Sequence, residues 1–347
     1  MAKYLYSTLS VLFGSVPAKK TKKLFSFKRI NCKQIAQLFS CRLVGQGLII
    51  CFISISANAT SVNSVLADIQ QLSSESMQGR QTNTLGSEQA QAYIAARYAA
   101  LGLASFKQSY YANYTYQRAW SDKTGTNVQA WVQGCKYPEH YIVVTAHYDH
   151  LGRKGSQVYH GADDNASGVA AMLALAQQLK INCPAYSYIF LATDGEETGL
   201  YGSKAFLQQP PVALTQIILN LNLDMISRAD RRGRLYVTGA NKYSGLKKQL
   251  TLLEQGAPIR FLSASGPNHF NGQSRSQNWL TASDHGTFHR QGINYIFIGG
   301  QEHPHYHTTD DQWHYIDPSF LQQSLNSIYA TVFWLEQQHP ERLIRAK

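Results

Sequence analysis

Residues 141–150 read YIVVTAHYDH, an apolar run that stops on two histidines and an aspartate. From Tyr141 to Ala146 polar and apolar positions do not alternate, which suits a strand buried on both faces, as in parallel sheets covered by helices. The polar tail then falls at the carboxyl end of the strand, where open α/β sheets collect their ligands.

The same grammar continues outward. Tyr186–Ala192, Ile217–Asp224, Leu235–Val237 and Ile293–Ile298 read as further strands, with helices predicted over Ser167–Leu179, Tyr243–Leu253 and Phe320–Gln338. Upstream, Val62, Val65, Leu66 and Ile69 recur at helical spacing. A second helix runs through Ala90, Ala92, Ile94, Ala95 and Ala99 and stops at Gly102. Residues 106–133 alternate aromatic and polar side chains, as strands of a meander or sheet edge do. Residues 265–279, rich in Ser, Gly, Asn and Gln, read as a long surface loop bordering the site. No stretch reads as an interdomain linker. The expected fold is a single α/β domain over about 62–340, a mixed, mostly parallel sheet sandwiched by helices.

The chain of 347 residues has a formal charge of +11, which invites a nucleic-acid reading. Its distribution argues against one. Nine of the 32 Lys and Arg residues and none of the 21 Asp and Glu residues fall within 1–59, so the remainder is close to neutral. That leader ends in an apolar run, Leu43–Ile55, followed by Ser56-Ala57-Asn58-Ala59. A basic stretch, a short apolar core and a small-residue site describe a secretory signal. The run is shorter than the ~20 residues needed to span a bilayer. The expected organisation is a signal peptide over 1–59 and a catalytic domain over 60–347, exported to the periplasm or beyond. An uncleaved signal anchor is the alternative; no stable membrane insertion is expected after cleavage. Cleavage leaves two cysteines, Cys135 and Cys183, each a few residues before a predicted strand. They read either as a disulfide between neighbouring strand entrances or as two buried thiols.

Metal-type residues recur at the strand ends. His147-Tyr148-Asp149 follows the first strand, and GADDNASG (161–168) opens the next helix. Asp194-Gly195-Glu196-Glu197 follows the second strand, Asp224 ends the third, and His303-Pro304-His305-Tyr306-His307 follows the last. Singly, His147 would be a structural histidine, Asp163-Asp164-Asn165 a helix cap and Glu196-Glu197 a solvated pair. Four strand ends that all deliver His, Asp or Glu point to a shared centre.

AHYDH, GADDNASG, DGEETGLYGS, LDMISR and HYHTTDD, with Met77-Gln78-Gly79-Arg80 and Gly102-Leu103 ahead of them, resemble the secreted bacterial zinc aminopeptidases of the leucine-aminopeptidase type. That fold also serves glutaminyl cyclases and several carboxypeptidases, and the resemblance covers most of 62–340. It implies that two Zn2+ ions are held, one by His147 and Asp224, the other by Glu197 and His307, with Asp164 bridging. Asp149 would orient His147, the Asp164–Asn165 peptide would be cis, and Glu196 would be the general base. Asp284 and His285 match a further motif near the site. His150, His160, His303 and His305 are left as surface or pocket-wall residues.

The chemistry suits these residue types. Zinc takes imidazole nitrogen and carboxylate oxygen. Two zincs ~3.5–4 Å apart can share a hydroxide, and a glutamate can take its proton and return it to a leaving amine. The expected substrates are peptides, trimmed from the N-terminus. The alternatives are a carboxypeptidase or dipeptidase on the same fold, and a single-zinc glutaminyl cyclase. All five ligand positions and the base are present, which argues against a relative without metals.

Overall fold

The computed structural model describes residues 61–344 apart from 230–232, 256–259, 263–266 and 271–272. It begins with α1 (Val62–Leu72) and α2 (Leu85–Ala100), then a hairpin of β1 (Tyr111–Arg118) and β2 (Ser121–Val132). β3 (Tyr137–His147), a short hairpin of β4 (Arg153–Lys154) and β5 (Gln157–Val158), α3 (Gly168–Asn182), β6 (Tyr186–Thr193), α4 (Tyr201–Gln208) and β7 (Ile217–Asp224) form the middle. β8 (Arg234–Thr238), α5 (Ser244–Leu253), β9 (Arg260–Leu262), a hairpin of β10 (Pro267–Phe270) and β11 (Gln273–Asn278), α6 (His285–Arg290), β12 (Tyr295–Gly299), α7 (Pro318–Glu336) and α8 (Pro340–Ile344) follow.

Helix starts carry their own signals. The hydroxyl of Ser61 accepts from the Ser64 N–H at the head of α1, and Thr84 does the same for Ser87 at the head of α2. Asp317 caps α7 with Pro318 directly after it. Each such cap satisfies a donor that the helix leaves free and contributes about 1 kcal/mol.

Eight strands form one sheet in the order β1-β2-β6-β3-β7-β12-β8-β9. β6, β3, β7 and β12 run parallel, while β2 lies antiparallel to β6, β1 to β2, and β8 to β12. The parallel centre with antiparallel flanks matches the expected mixed sheet. Strand period decides which side chains go where. Ile142, Val144 and Ala146 of β3 and Tyr188, Phe190 and Ala192 of β6 enter the large core with residues of α1, α3 and α7. Val143, Ile189 and Leu191, one position out of phase, join Phe206 of α4 and Phe288 of α6 in a smaller core. Both faces of the central strands are therefore covered. α3 is buried without a break from Gly168 to Ala176, as a helix apolar all round should be.

Residues 265–279 differ from expectation: the hairpin β10–β11 lies within them. Its Ser-, Asn- and Gln-rich sequence lacks the alternation that would announce a strand. Cys135 and Cys183 are joined by a disulfide, with Cα atoms 5.9 Å apart. The bridge ties the approach to β3 to the approach to β6, at the sheet edge opposite the strand ends that carry the acidic residues. The proposed leader, residues 1–59, lies outside the described residues.

Candidate metal centre

β3 ends on His147 and β7 on Asp224, adjacent strands of the parallel centre. Sheet pairing brings the His147 Nε2 to 3.3 Å from Asp224 Oδ1. Asp164 sits in the turn that enters α3 and places Oδ1 3.3 Å from the same Nε2. Its other oxygen, Oδ2, lies 3.1 Å from His307 Nε2, which is 3.2 Å from Glu197 Oε2. One carboxylate thus offers an oxygen to each of two groups, His147/Asp224 and His307/Glu197.

The Asp164 turn is fixed by its neighbours. The Asp164–Asn165 peptide is cis. Asn165 Oδ1 accepts from the Gly168 and Met225 N–H groups while its amide donates to the Leu223 carbonyl. The Asp311 carboxylate accepts the N–H groups of Asp163 and Asp164. Glu196 and Glu197 are held likewise: their N–H groups donate to the two oxygens of Asp149 at 3.1 and 3.3 Å.

Asp149 therefore acts differently from the expected imidazole-orienting carboxylate. The His147 Nδ1–H donates to the Asp149 backbone carbonyl at 3.1 Å, and the carboxylate is farther off at 3.8 Å. That hydrogen bond turns the other ring nitrogen, Nε2, toward Asp164 and Asp224. The side chain of Asp149 instead braces the glutamate turn.

Charge is concentrated here. Burial opposes a charged His147, but Asp224 and Glu196 outweigh it and raise the imidazole well above its ordinary value. Burial likewise opposes ionised Asp164, yet His147 and His307 hold its carboxyl well below the usual range. Burial would lower His307, but Asp164 and Glu197 raise it to about 10. Glu196 belongs to neither group. Burial, reinforced by Asp224, Glu197 and Asp284 and opposed by His147, pushes its carboxyl well up.

These residues fit divalent cations. Among the described residues no lysine or arginine side chain bonds to Asp164, Glu196, Glu197 or Asp224, and the clustered carboxylates meet imidazoles instead. His307 Nε2 is buried without a hydrogen-bond partner although two carboxylate oxygens stand 3.1 and 3.2 Å away. An N/O donor set with one shared carboxylate suits zinc and its neighbours in the transition series.

The remaining histidines separate. His160 Nδ1 donates to the Ser73 carbonyl and His305 Nδ1 to the Asp310 carbonyl. His303 Nε2 lies 3.1 Å from Asp163 Oδ2, beneath the turn rather than in the centre. His150, expected at the surface or pocket wall, is fully buried beside Glu197, 2.8 Å away. Asp284 is buried and accepts the Thr193 hydroxyl at the end of β6. His285 is packed against Tyr295 and Phe297, donates to the Trp279 carbonyl, and is lowered by burial to about 4. His285 is a structural residue.

Arg80 is the largest omission from the sequence reading. Fully buried, it donates to the carbonyls of Leu72, Tyr148, His160 and Gly161 at 2.6–2.8 Å. Burial lowers it to about 10 against the pull of Asp164, Asp311, Asp149 and Glu197, so it stays cationic at neutral pH behind the acidic centre. Gly79 before it has φ +69°, and a Cβ there would stand 2.5 Å from the carbonyls of Gly152 and Tyr159. The Gly79-Arg80 pair was the visible signal. Arg80→Met is expected to strand several buried carbonyls, each worth about 1–3 kcal/mol, and to lower stability by about 3–5 kcal/mol. Urea denaturation checks this; a loss under about 1 kcal/mol would contradict it.

The cleft over the centre is also lined by Met225, Ala282, Phe297, Gly300, Glu302 and Tyr306. The Tyr306 ring stacks on His307 at 3.8 Å. A larger hollow of about 810 Å³, between the β1–β2 hairpin and the end of α4, has no His, Cys, Asp or Glu in its lining among the described residues. We place the chemistry at the cleft.

A mixed α/β sheet thus gathers His and carboxylate side chains at the carboxyl edge of its strands, in groups that could hold metal ions. Residues 127–332, more than half of the chain, match peptidase family M28, and the chain belongs to that family. It is 30% identical over 239 residues to aminopeptidase YwaD of Bacillus subtilis, covering 66% of this chain and 47% of that one. The chain spans about half the length of the curated relatives it matches. In fold it is similar to a zinc aminopeptidase from Bacillus subtilis (TM-score 0.62, 17% identity, 82% of this chain and 97% of that one). It is also similar to the glutaminyl cyclase of Porphyromonas gingivalis (TM-score 0.61, 19% identity, 80% and 100%).

Proposed function

We propose that this chain is a two-zinc aminopeptidase that releases N-terminal residues from peptides. The observation that carries the reading is Asp164, with Oδ1 facing His147 and Oδ2 facing His307. His147, Asp164 and Asp224 would hold one ion, and Glu197, Asp164 and His307 the other. Bound there, the ions supply an acidified water and Lewis-acid polarisation of a carbonyl.

The chain's own residues do the rest. Glu196 lines the cleft beside the donor groups without belonging to either, where a carboxylate can carry a proton. It accepts the proton of the attacking water and returns it to the departing amine nitrogen. Met225, Ala282 and Phe297 give the cleft apolar wall for a side chain, and they exclude water beside the reacting bond.

The charge of the cleft favours an amine over a carboxylate as the recognised terminus. Asp164, Glu197 and Asp224 would be offset by the ions they hold, which leaves Glu302 in the lining to meet a substrate ammonium; among the described residues no lysine or arginine lines the cleft to hold a C-terminal carboxylate. Two donor groups likewise favour two ions over the single zinc of a cyclase. The disulfide supports an exported protein, as oxidising compartments preserve such bridges.

Zinc content of the purified protein, measured with hydrolysis of free-amine and N-blocked peptides, tests the proposal. Two zincs and cleavage of free-amine substrates alone are expected. One zinc, or activity that needs a free C-terminus, would overturn it.

A further inference from the structure

His150 lies three residues beyond His147, yet its ring turns to the other donor group. Its side chain is fully buried, with Nδ1 2.8 Å from Glu197 Oε1 and 3.7 Å from Asp164 Oδ2. The second oxygen of Glu197 faces His307 at 3.2 Å. The two oxygens of one carboxylate therefore have different partners.

The ring has little freedom to do otherwise. Gly161 packs on it with φ +59°, and a Cβ there would stand 2.6 Å from His150 Cγ and Cδ2. The His307 ring meets it edge-on at 5.7 Å. His150 Nε2 is buried without a partner. A proton on that atom would be an unsatisfied buried donor, so the favoured tautomer carries its hydrogen on Nδ1, aimed at Glu197.

We propose that His150 is a positioning residue of the His307-side metal site: its Nδ1–H holds Glu197 Oε1, so that Glu197 serves the ion through Oε2 alone. The proposal rests on the two-ion reading above. Hydrogen bonds to ligating carboxylates fix their orientation, and losing one typically costs 10–100-fold in metal affinity. The effect should be confined to one site, because His147 and Asp224 make no contact with His150 among the contacts described.

The test uses the full chain stripped of metal, with zinc returned against a competing chelator, for the wild type, His150→Leu and His150→Gln. Leu keeps bulk without a donor; Gln keeps an N–H donor. His150→Leu is expected to weaken one of two zinc-binding steps 10–100-fold and leave the other unchanged, with Gln recovering most of the loss. Cobalt substituted at the affected site should keep its visible absorption in the Gln variant, since the ligands are the same. Unchanged binding of both zincs by His150→Leu would overturn the proposal. So would a Gln variant with weakened binding and altered cobalt bands, which would make His150 a ligand itself. Should the Leu variant not fold, His150→Ala, which also lacks a donor, takes its place with the same expected and overturning results. A wild type that binds fewer than two zincs would instead sink the two-ion reading beneath it.

Discussion

Glu196→Gln is expected to retain both zinc ions and to lower kcat by about 10²–10⁴-fold, the usual contribution of a general base. Neither donor group includes Glu196, and its turn is held by backbone N–H bonds to Asp149, which the substitution leaves in place. Gln has nearly the same shape and can no longer take a proton. KM should change little, because the side chain acts on the attacking water rather than on the peptide. Metal analysis and steady-state kinetics on the same preparation check the expectation. Turnover within a few fold of wild type would remove Glu196 as the base.

Asp164→Ala is expected to abolish stable binding of both ions, and activity with them. It is the one side chain common to both candidate metal groups. Removing it takes a ligand from each site at once, whereas losing Asp224 or Glu197 would strip only one. Asp163, its neighbour, cannot substitute. Its Oδ1 accepts from Ser227 and its Oδ2 faces His303, on the far side of the turn. Zinc content after dialysis and circular dichroism of the variant check this together. A folded Asp164→Ala protein with two zincs would show that the bridge has been placed wrongly.

How much of this could be read from the sequence depends on distance along the chain. The end of a strand is a local property, so YIVVTAHYDH and IILNLNLD announced where His147 and Asp224 would stand. Just past the strand Tyr148 turns into the core, its hydroxyl donating to the Thr126 carbonyl, and the place of Asp149 came from the family resemblance. Nothing local announced His150, whose direction depends on Gly161 packing against its ring from eleven residues away. Arg80, though part of a quoted motif, gave no sign of its task for a related reason. Its acceptors at 72, 148, 160 and 161 converge only after folding, and an isolated arginine in sequence reads as surface. The split between His303 and His307 turned on which ring the backbone aims at Asp163 and which at Asp164. Spacing alone could not distinguish them; the resemblance of HYHTTDD to its family did.

The Cys135–Cys183 bridge closes a loop that holds His147, Asp149, His150 and Asp164 and leaves Glu197, Asp224 and His307 outside. For a loop of that length the chain-entropy account assigns about 4 kcal/mol. A domain's whole margin is only about 5–15 kcal/mol. The same amino acids kept in a glutathione-rich compartment would therefore be a markedly less durable protein, because the reduced chain regains that freedom when it unfolds. Durability here belongs jointly to the sequence and to the redox potential of its surroundings.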